Sequence, residues 1–245
     1  MRPLGLSAFV RCKNEEEYIV ASLLSAYRVF DEIVVVLNNS TDRTRELVED
    51  LMLDHPKIRL LDYPNECVPA GVGYHEKAIE NPDGSLARYY NWCLEQTTFS
   101  HVCKWDGDMI AIPTFEQVKE ALDSYDVVAF DGHDVLGEYT TDCESRIFRY
   151  NPQRARYVDW DLYEILEHDY HKLRRIDDKC YVHMKLVKAE WVHRQWQCPN
   201  DLATRSVPHT GRVVDTGFVR KLASPVRKLL KFVLVKAGLR TRNMR

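Results

Sequence analysis

No run of about 18 consecutive apolar residues occurs in the sequence, which excludes a helix that spans a bilayer. There is no C-x-x-C pair either, and the seven cysteines, an odd number, are scattered from Cys12 to Cys198. A structural zinc site and thioredoxin-like redox chemistry therefore have no support. Reduced thiols in a cytoplasmic protein are the expectation. Internal repeats and low-complexity tracts are absent. The opening Met1-Arg2-Pro3-Leu4-Gly5 runs straight into a strand-like segment and lacks the pattern of a signal peptide. Net charge is also scarce, at -3, but that figure sums two unlike parts. Of 34 basic and 37 acidic residues, ten and one lie between Arg212 and Arg245, so that segment carries +9 and the rest -12.

What is present suits one large domain with an appendage. The 245 residues are 45% hydrophobic and 29% charged, enough apolar material for a sizeable core and too much for disorder. Leu6 to Arg11 reads as a buried strand, and the acids Glu15 to Glu17 then suit the first turn of a helix carrying Ile19, Leu23 and Leu24. Glu32 to Leu37 is an unbroken apolar run after its first residue, as in a strand covered on both faces. A helix with Leu47, Val48 and Leu51 and a strand over 57–62 follow. This β-α-β-α-β order predicts an α/β domain with a parallel sheet. Further on, 85–97 reads as a helix, 101–105 and 127–130 as strands, and the Pro- and Gly-bearing 66–84 as a long loop. His168 and His171 are placed on a helix and read as solvated.

Ligands of a parallel sheet sit at the carboxyl ends of its strands. Asp106 and Asp108 lie at such an end, and two residues apart they leave an extended chain on one face. Like charges this close repel unless a cation lies between them, and magnesium or manganese is commonly held by one or two carboxylates and diphosphate oxygens. An ordinary solvated Asp-Gly-Asp turn is the plain alternative.

Four segments in order then resemble family 2 glycosyltransferases of the GT-A fold. They are Phe9-Val10-Arg11-Cys12-Lys13-Asn14-Glu15-Glu16, Glu32 to Thr44 with its Asn38-Asn39-Ser40-Thr41-Asp42 turn, Ala87-Arg88-Tyr89-Tyr90-Asn91, and Lys104-Trp105-Asp106-Gly107-Asp108 as the DxD signature. The resemblance covers about residues 6–110 and is to enzymes of bacterial lipopolysaccharide and related glycan synthesis. It implies a Rossmann-like, mixed but mostly parallel sheet flanked by helices. It also implies a nucleotide-sugar donor and a divalent metal, Mn²⁺ or Mg²⁺. Arg11, Asn14, Glu15, Asn38, Arg88 and Asp106 are assigned to the donor. Asp106 and Asp108 are assigned to the metal, with His183 as a late ligand or a core histidine. Two departures stand out: Leu37 replaces the usual acid, which leaves the donor base open, and Asn39 replaces the usual glycine. Asn tolerates positive φ best after glycine, so the turn survives.

Inverting transfer needs a base for the acceptor hydroxyl. Glu144 to Arg149 and the following 157–164 resemble the family stretch that carries it, which makes Glu164 the first candidate, ahead of Asp161 and Asp159. Exposed acids at an amphipathic helix start are the plain reading. Arg146 holds a phosphate or acceptor, or pairs with a surface acid.

The tail predicts a basic amphipathic helix. Ser224 and Pro225 start it and Gly238 stops it, with Val226, Leu229, Leu230 and Val233 on one face and Arg227, Lys228 and Lys231 on the other. Cations at a helix N-terminus oppose its dipole, so an anionic membrane surface explains them better than local stability. Docking on the acidic body is the second reading, and nucleic acid is not expected. The expectation is a GT-A domain over 1–205 and a tail over 206–245. The chain would be peripheral on the cytoplasmic membrane face, moving sugar to a glycan or lipid-linked acceptor. Two rivals remain. A nucleotidyltransferase would need a Gly-rich loop where Arg11-Cys12-Lys13-Asn14 has none. A degenerate GT-A domain would only bind a glycan or membrane.

Overall fold

The computed structural model describes residues 2–135 and 143–188. The expected basic helix, the 206–245 tail and the boundary at 205 lie outside the described residues. β1 (Leu6–Cys12), α1 (Ile19–Ala26), β2 (Glu32–Leu37), α2 (Thr44–Asp54) and β3 (Ile58–Asp62) form the alternating unit that the periodicity predicts. α3 (Tyr74–Glu80), α4 (Leu86–Glu95), β4 (His101–Asp106), β5 (Met109–Ala111) and α5 (Val118–Ala121) follow. Then come β6 (Val127–Phe130), β7 (Gly132–Asp134), β8 (Glu144–Arg149), β9 (Ala155–Asp159), β10 (Glu164–His168), β11 (Leu173–Arg175) and β12 (Tyr181–His183).

The main sheet has seven strands in the order β11-β6-β8-β4-β1-β2-β3. β1 is parallel to β2 and β4, β2 to β3, and β11 to β6. Of these strands β8 alone runs against its neighbours, β4 and β6. β2 is buried at every residue, as a strand covered on both faces must be. β9 and β10 pair as a separate hairpin, and β5, β12 and β7 form a small third sheet.

The two-residue period of a strand divides the core into two layers. Leu6, Ala8, Val10 and Cys12 of β1 pack with Ile19 and Leu23 of α1, Val48 of α2 and Val118 of α5. Phe9 packs on the other side with Tyr89 and Tyr90 of α4 and Tyr157 of β9. The period that puts Phe9 and Val102 on this second side also sends Arg11, Lys104 and Asp106 there. The chemistry-bearing side chains therefore leave the sheet between α4 and the β9–β10 hairpin.

Three local expectations are corrected. The long loop expected over 66–84 carries the helix α3. The acids Glu15 to Glu17 precede α1 and do not start it, and the helix has no acid in its first turn. Tyr18 and Ile19 N–H instead donate to the Glu15 carbonyl at 3.1 and 2.9 Å, which forms a turn before the helix. His168 and His171 are not helical. His168 ends β10, in register with Ala155 of β9, and His171 lies in the exposed loop beyond.

Candidate active site

The carboxyl ends of β1, β2 and β4 open into a cavity of about 880 Å³, within the usual range for small-molecule sites. Tyr89 and Tyr90 of α4 and Tyr157 and Glu164 of the hairpin also line it. Because β8 is reversed, its first residues, Glu144 to Arg146, reach the end of the sheet where β4 finishes.

Asp106 sits between two guanidinium groups. Arg11 Nη2 is 3.0 Å from Oδ1, and Arg146 Nη1 is 3.4 Å from Oδ2. Arg146 also pairs with Glu144 at 3.1 Å, and its side chain is only 6% exposed. It is thus a buried organiser of the site and not a surface cation. Arg11 stacks on Tyr90, its Cζ 3.8 Å from the ring centroid. Desolvated cation–π contacts of this kind are worth about 2 kcal/mol. Burial pushes the Asp106 carboxyl up, but Arg11, Lys104 and Arg146 outweigh it and hold it far below the usual carboxylate range. Lys104 Nζ reaches 3.6 Å from Glu164 Oε1, and the Tyr90 hydroxyl lies near the same carboxylate. Glu164 therefore sits buried beside a cation inside the cavity.

Asp108 belongs to a second cluster. β12 pairs with β5 so that His183 stands opposite Met109, which brings its Nε2 to 3.1 Å from Asp108 Oδ1. Lys188 Nζ lies 2.7 Å from Asp108 Oδ2 and 2.7 Å from Glu15 Oε2. Burial raises the Asp108 carboxyl, yet His183 and Lys188 overcome it and bring it down to about 2. Glu15 is pushed up to about 7 by burial and by the Asp108 charge, against the pull of Lys188. The shared ammonium thus favours Asp108. Gly107 permits this packing. A Cβ there would lie 2.9 Å from Glu15 Cγ and 3.3 Å from Cys12 Sγ, so the close approach is to the β1–α1 turn of the protein itself.

Among the described residues no three His, Cys, Asp or Glu side chains form a complete metal cage, so a divalent cation would take only part of its shell from the protein and the rest from a ligand such as a diphosphate. Asp108 and His183 are an oxygen and a nitrogen ligand in contact, and a cationic group already lies between Asp108 and Glu15. Asp106, held by two arginines, is the poorer ligand of the pair.

Residues 7–67 match the family described as Glycosyl transferase family 2. Among solved structures the fold is similar to that of S. aureus TarS 1-349, with TM-score 0.52 and 15% identity over 95% of this chain and 88% of that one. The chain therefore has the GT-A fold and, over residues 7–67, a segment that matches glycosyltransferase family 2. It spans 53% of the longer TarS structure. It is also similar to mannosyltransferase PcManGT from Pyrobaculum calidifontis, solved with GDP-Man and Mn²⁺, at 16% identity and TM-score 0.46 over 99% of this chain and 77% of that one. Glucosyl-3-phosphoglycerate synthase from Mycobacterium tuberculosis, solved with Mn²⁺ and UDP, aligns over 54% of this chain and 43% of its own at 18% identity and TM-score 0.36. No curated protein sequence matches the chain.

Of the expected site residues, Arg11, Glu15, Asn38, Asp106, Asp108, Glu164 and His183 all line the cavity. Other expected site residues do other work. Asn14 adopts φ 59° and accepts from Thr41 N–H at 2.8 Å, which ties the first turn to the second. Asn38 lines the cavity, and its amide donates to the Asn65 carbonyl and accepts from Cys67 N–H, so it holds the loop. Arg88 points to solvent and pairs with Asp83 at 2.9 Å. Asp161 is exposed in the hairpin turn, and its carbonyl accepts from His75 N–H. Asp159 receives the Tyr74 and Ser85 hydroxyls and Ala87 N–H, and so anchors the start of α4. Leu37 is buried under α1 and α2 and does not face the cavity. Asn39 takes φ 52°, as the turn requires. Sequence reasoning missed Lys104, Lys188 and half-buried His168, all of which line the cavity. Lys104 could have been found from the strand period, two residues before Asp106. Lys188 has no motif around it.

Proposed function

We propose that the enzyme is a metal-dependent, inverting glycosyltransferase that moves a sugar from a nucleotide-sugar donor to a glycan or lipid-linked acceptor. The observation that carries the reading is Glu164, held on the hairpin, sharing one cavity with the Asp106-Gly107-Asp108 turn and His183. Six Lys or Arg and five Asp or Glu line that cavity, so its own charge is nearly balanced. An entering diphosphate would leave it negative, which favours a bound cation. Asp108 and His183 would hold Mn²⁺ or Mg²⁺, which when bound would neutralise charge on the departing diphosphate.

The chain's own residues supply the remaining chemistry. Arg11 and Lys104 present cations to the donor phosphates. Glu164 takes the proton of the acceptor hydroxyl. The acceptor oxygen bonds to the anomeric carbon as the bond from that carbon to the diphosphate oxygen breaks. The electron pair leaves with the nucleoside diphosphate, and attack opposite the leaving group inverts the anomeric centre. Lys104 is a positioning residue that orients Glu164. A nucleotidyltransferase is disfavoured because the turn after β1 has no glycine.

Two variants test the assignment. Glu164→Gln should keep nucleotide-dependent thermal stabilisation and lower transfer kcat by about 10²–10⁴-fold. Asp108→Asn should weaken stabilisation by nucleoside diphosphate with Mn²⁺. Undiminished transfer in either variant removes that residue's role. A chain stabilised by no nucleotide with Mn²⁺ would instead be a degenerate binding domain.

A further inference from the structure

We infer that Lys188 is a tethered counter-ion that occupies the seat between Asp108 and Glu15, so that a divalent metal binds only by displacing its ammonium. The inference rests on the metal reading above and adds a competitor within the chain.

The placement is built and not incidental. β12 ends at His183, and Met184 N–H donates to the Asp108 carbonyl at 2.9 Å, which pins the chain to the Asp-Gly-Asp turn. A short 3₁₀ turn over Lys185–Val187 follows, closed by Val187 N–H to the Met184 carbonyl. The Tyr18 hydroxyl then donates to the Val187 carbonyl at 3.3 Å. Lys188 therefore starts from a backbone held at both the β4 end and the α1 start. Its side chain is 15% exposed, and Asp108 and Glu15 are 5% and 13% exposed.

Charge makes the arrangement exclusive. Two buried carboxylates need one cation between them, and the ammonium meets both at 2.7 Å. A divalent ion on Asp108 would face that ammonium at contact range, where like charges repel strongly in a shielded site. The two cannot share the seat. A lysine stem has four rotatable carbons, so the ammonium can swing out while its backbone stays tied. Metal entry then exchanges a covalently attached cation for a free one, and the site never holds bare carboxylates.

The test is Mn²⁺ binding followed by electron paramagnetic resonance, on the wild type, Lys188→Met and Lys188→Arg, with Asp108→Asn as reference. Lys188→Met should bind Mn²⁺ at least about tenfold more tightly than the wild type, and Lys188→Arg should not. Mn²⁺ should also raise Tm more in Lys188→Met, whose apo form faces two unneutralised carboxylates. Equal affinities for wild type and Lys188→Met, both lost in Asp108→Asn, would overturn the counter-ion while leaving the metal site standing. No binding in either would overturn both. A second measurement uses the wild type alone, in case the variants do not fold. Amine-reactive labelling of Lys188, read by mass spectrometry against Lys57 and Lys119, should rise when Mn²⁺ is added. Labelling unchanged by Mn²⁺ contradicts displacement.

Discussion

A side chain at Gly107 would press on Glu15 Cγ at 2.9 Å, and Glu15 cannot retreat because Lys188 holds its carboxylate. Gly107→Ala should therefore cost about 1–3 kcal/mol, the usual penalty for overpacking, and thermal unfolding measures it. Retained stability would mean that the turn relaxes without loss. The two aspartates around this glycine were readable because a motif at a strand end has a fixed spacing and a fixed face. Their partners were less so. His183 was a candidate only through the family resemblance, and Lys188 had no signal, since it reaches Asp108 from 80 residues away through the β12–β5 pairing. Arg88 and Asn14 show the converse failure. Each sits in a recognisable segment, yet one side chain faces solvent and the other closes a turn.

At the scale of elements, one carboxylate ties three strands together at the amino end of the sheet. Glu32 opens β2, accepts from the Ser7 hydroxyl of β1 at 2.6 Å and from Thr98 N–H at 2.8 Å, and pairs with Arg59 of β3 at 2.6 Å. Burial pushes this carboxyl up, but the bonds from Ser7, Thr98 and Arg59 outweigh it and leave it below the ordinary value. A lowered folded pKa gives stability that is present above the unfolded value, about 4.3, and lost as pH falls through the folded one. Glu32→Gln should lose about 2 kcal/mol at pH 7, and the difference from wild type should shrink in urea melts below about pH 4. A constant difference across pH would remove the charge from the account. The strands that Glu32 joins were legible because β-branched runs have few other solutions. The β9–β10 hairpin was not, because Asp159, Asp161 and Glu164 alternate with aromatics in a way that suits a helix start as well as a strand pair.

At the scale of the whole molecule, an acidic body carries the cavity and the sequence ends in a +9 segment. Among the described residues no helix is long and apolar enough to cross a membrane. The membrane address expected of that segment would act at a surface, through its charge. Flotation with vesicles containing anionic lipid should recover the full chain, and a chain ending at Val207 should stay behind. Equal recovery of both would assign the tail another role.

The β9–β10 hairpin shares no ladder with the main sheet. It is moored by side chains instead: the Asn91 amide bonds both N–H and carbonyl of Tyr157, and Asp159 receives the start of α4. On the proposed assignment, the donor side of the cavity is built by the central strands and Glu164 rides on a separate cassette. Substitutions in that cassette would then alter the acceptor side without disturbing the strand register on the donor side. The two halves of specificity would be carried by separate elements.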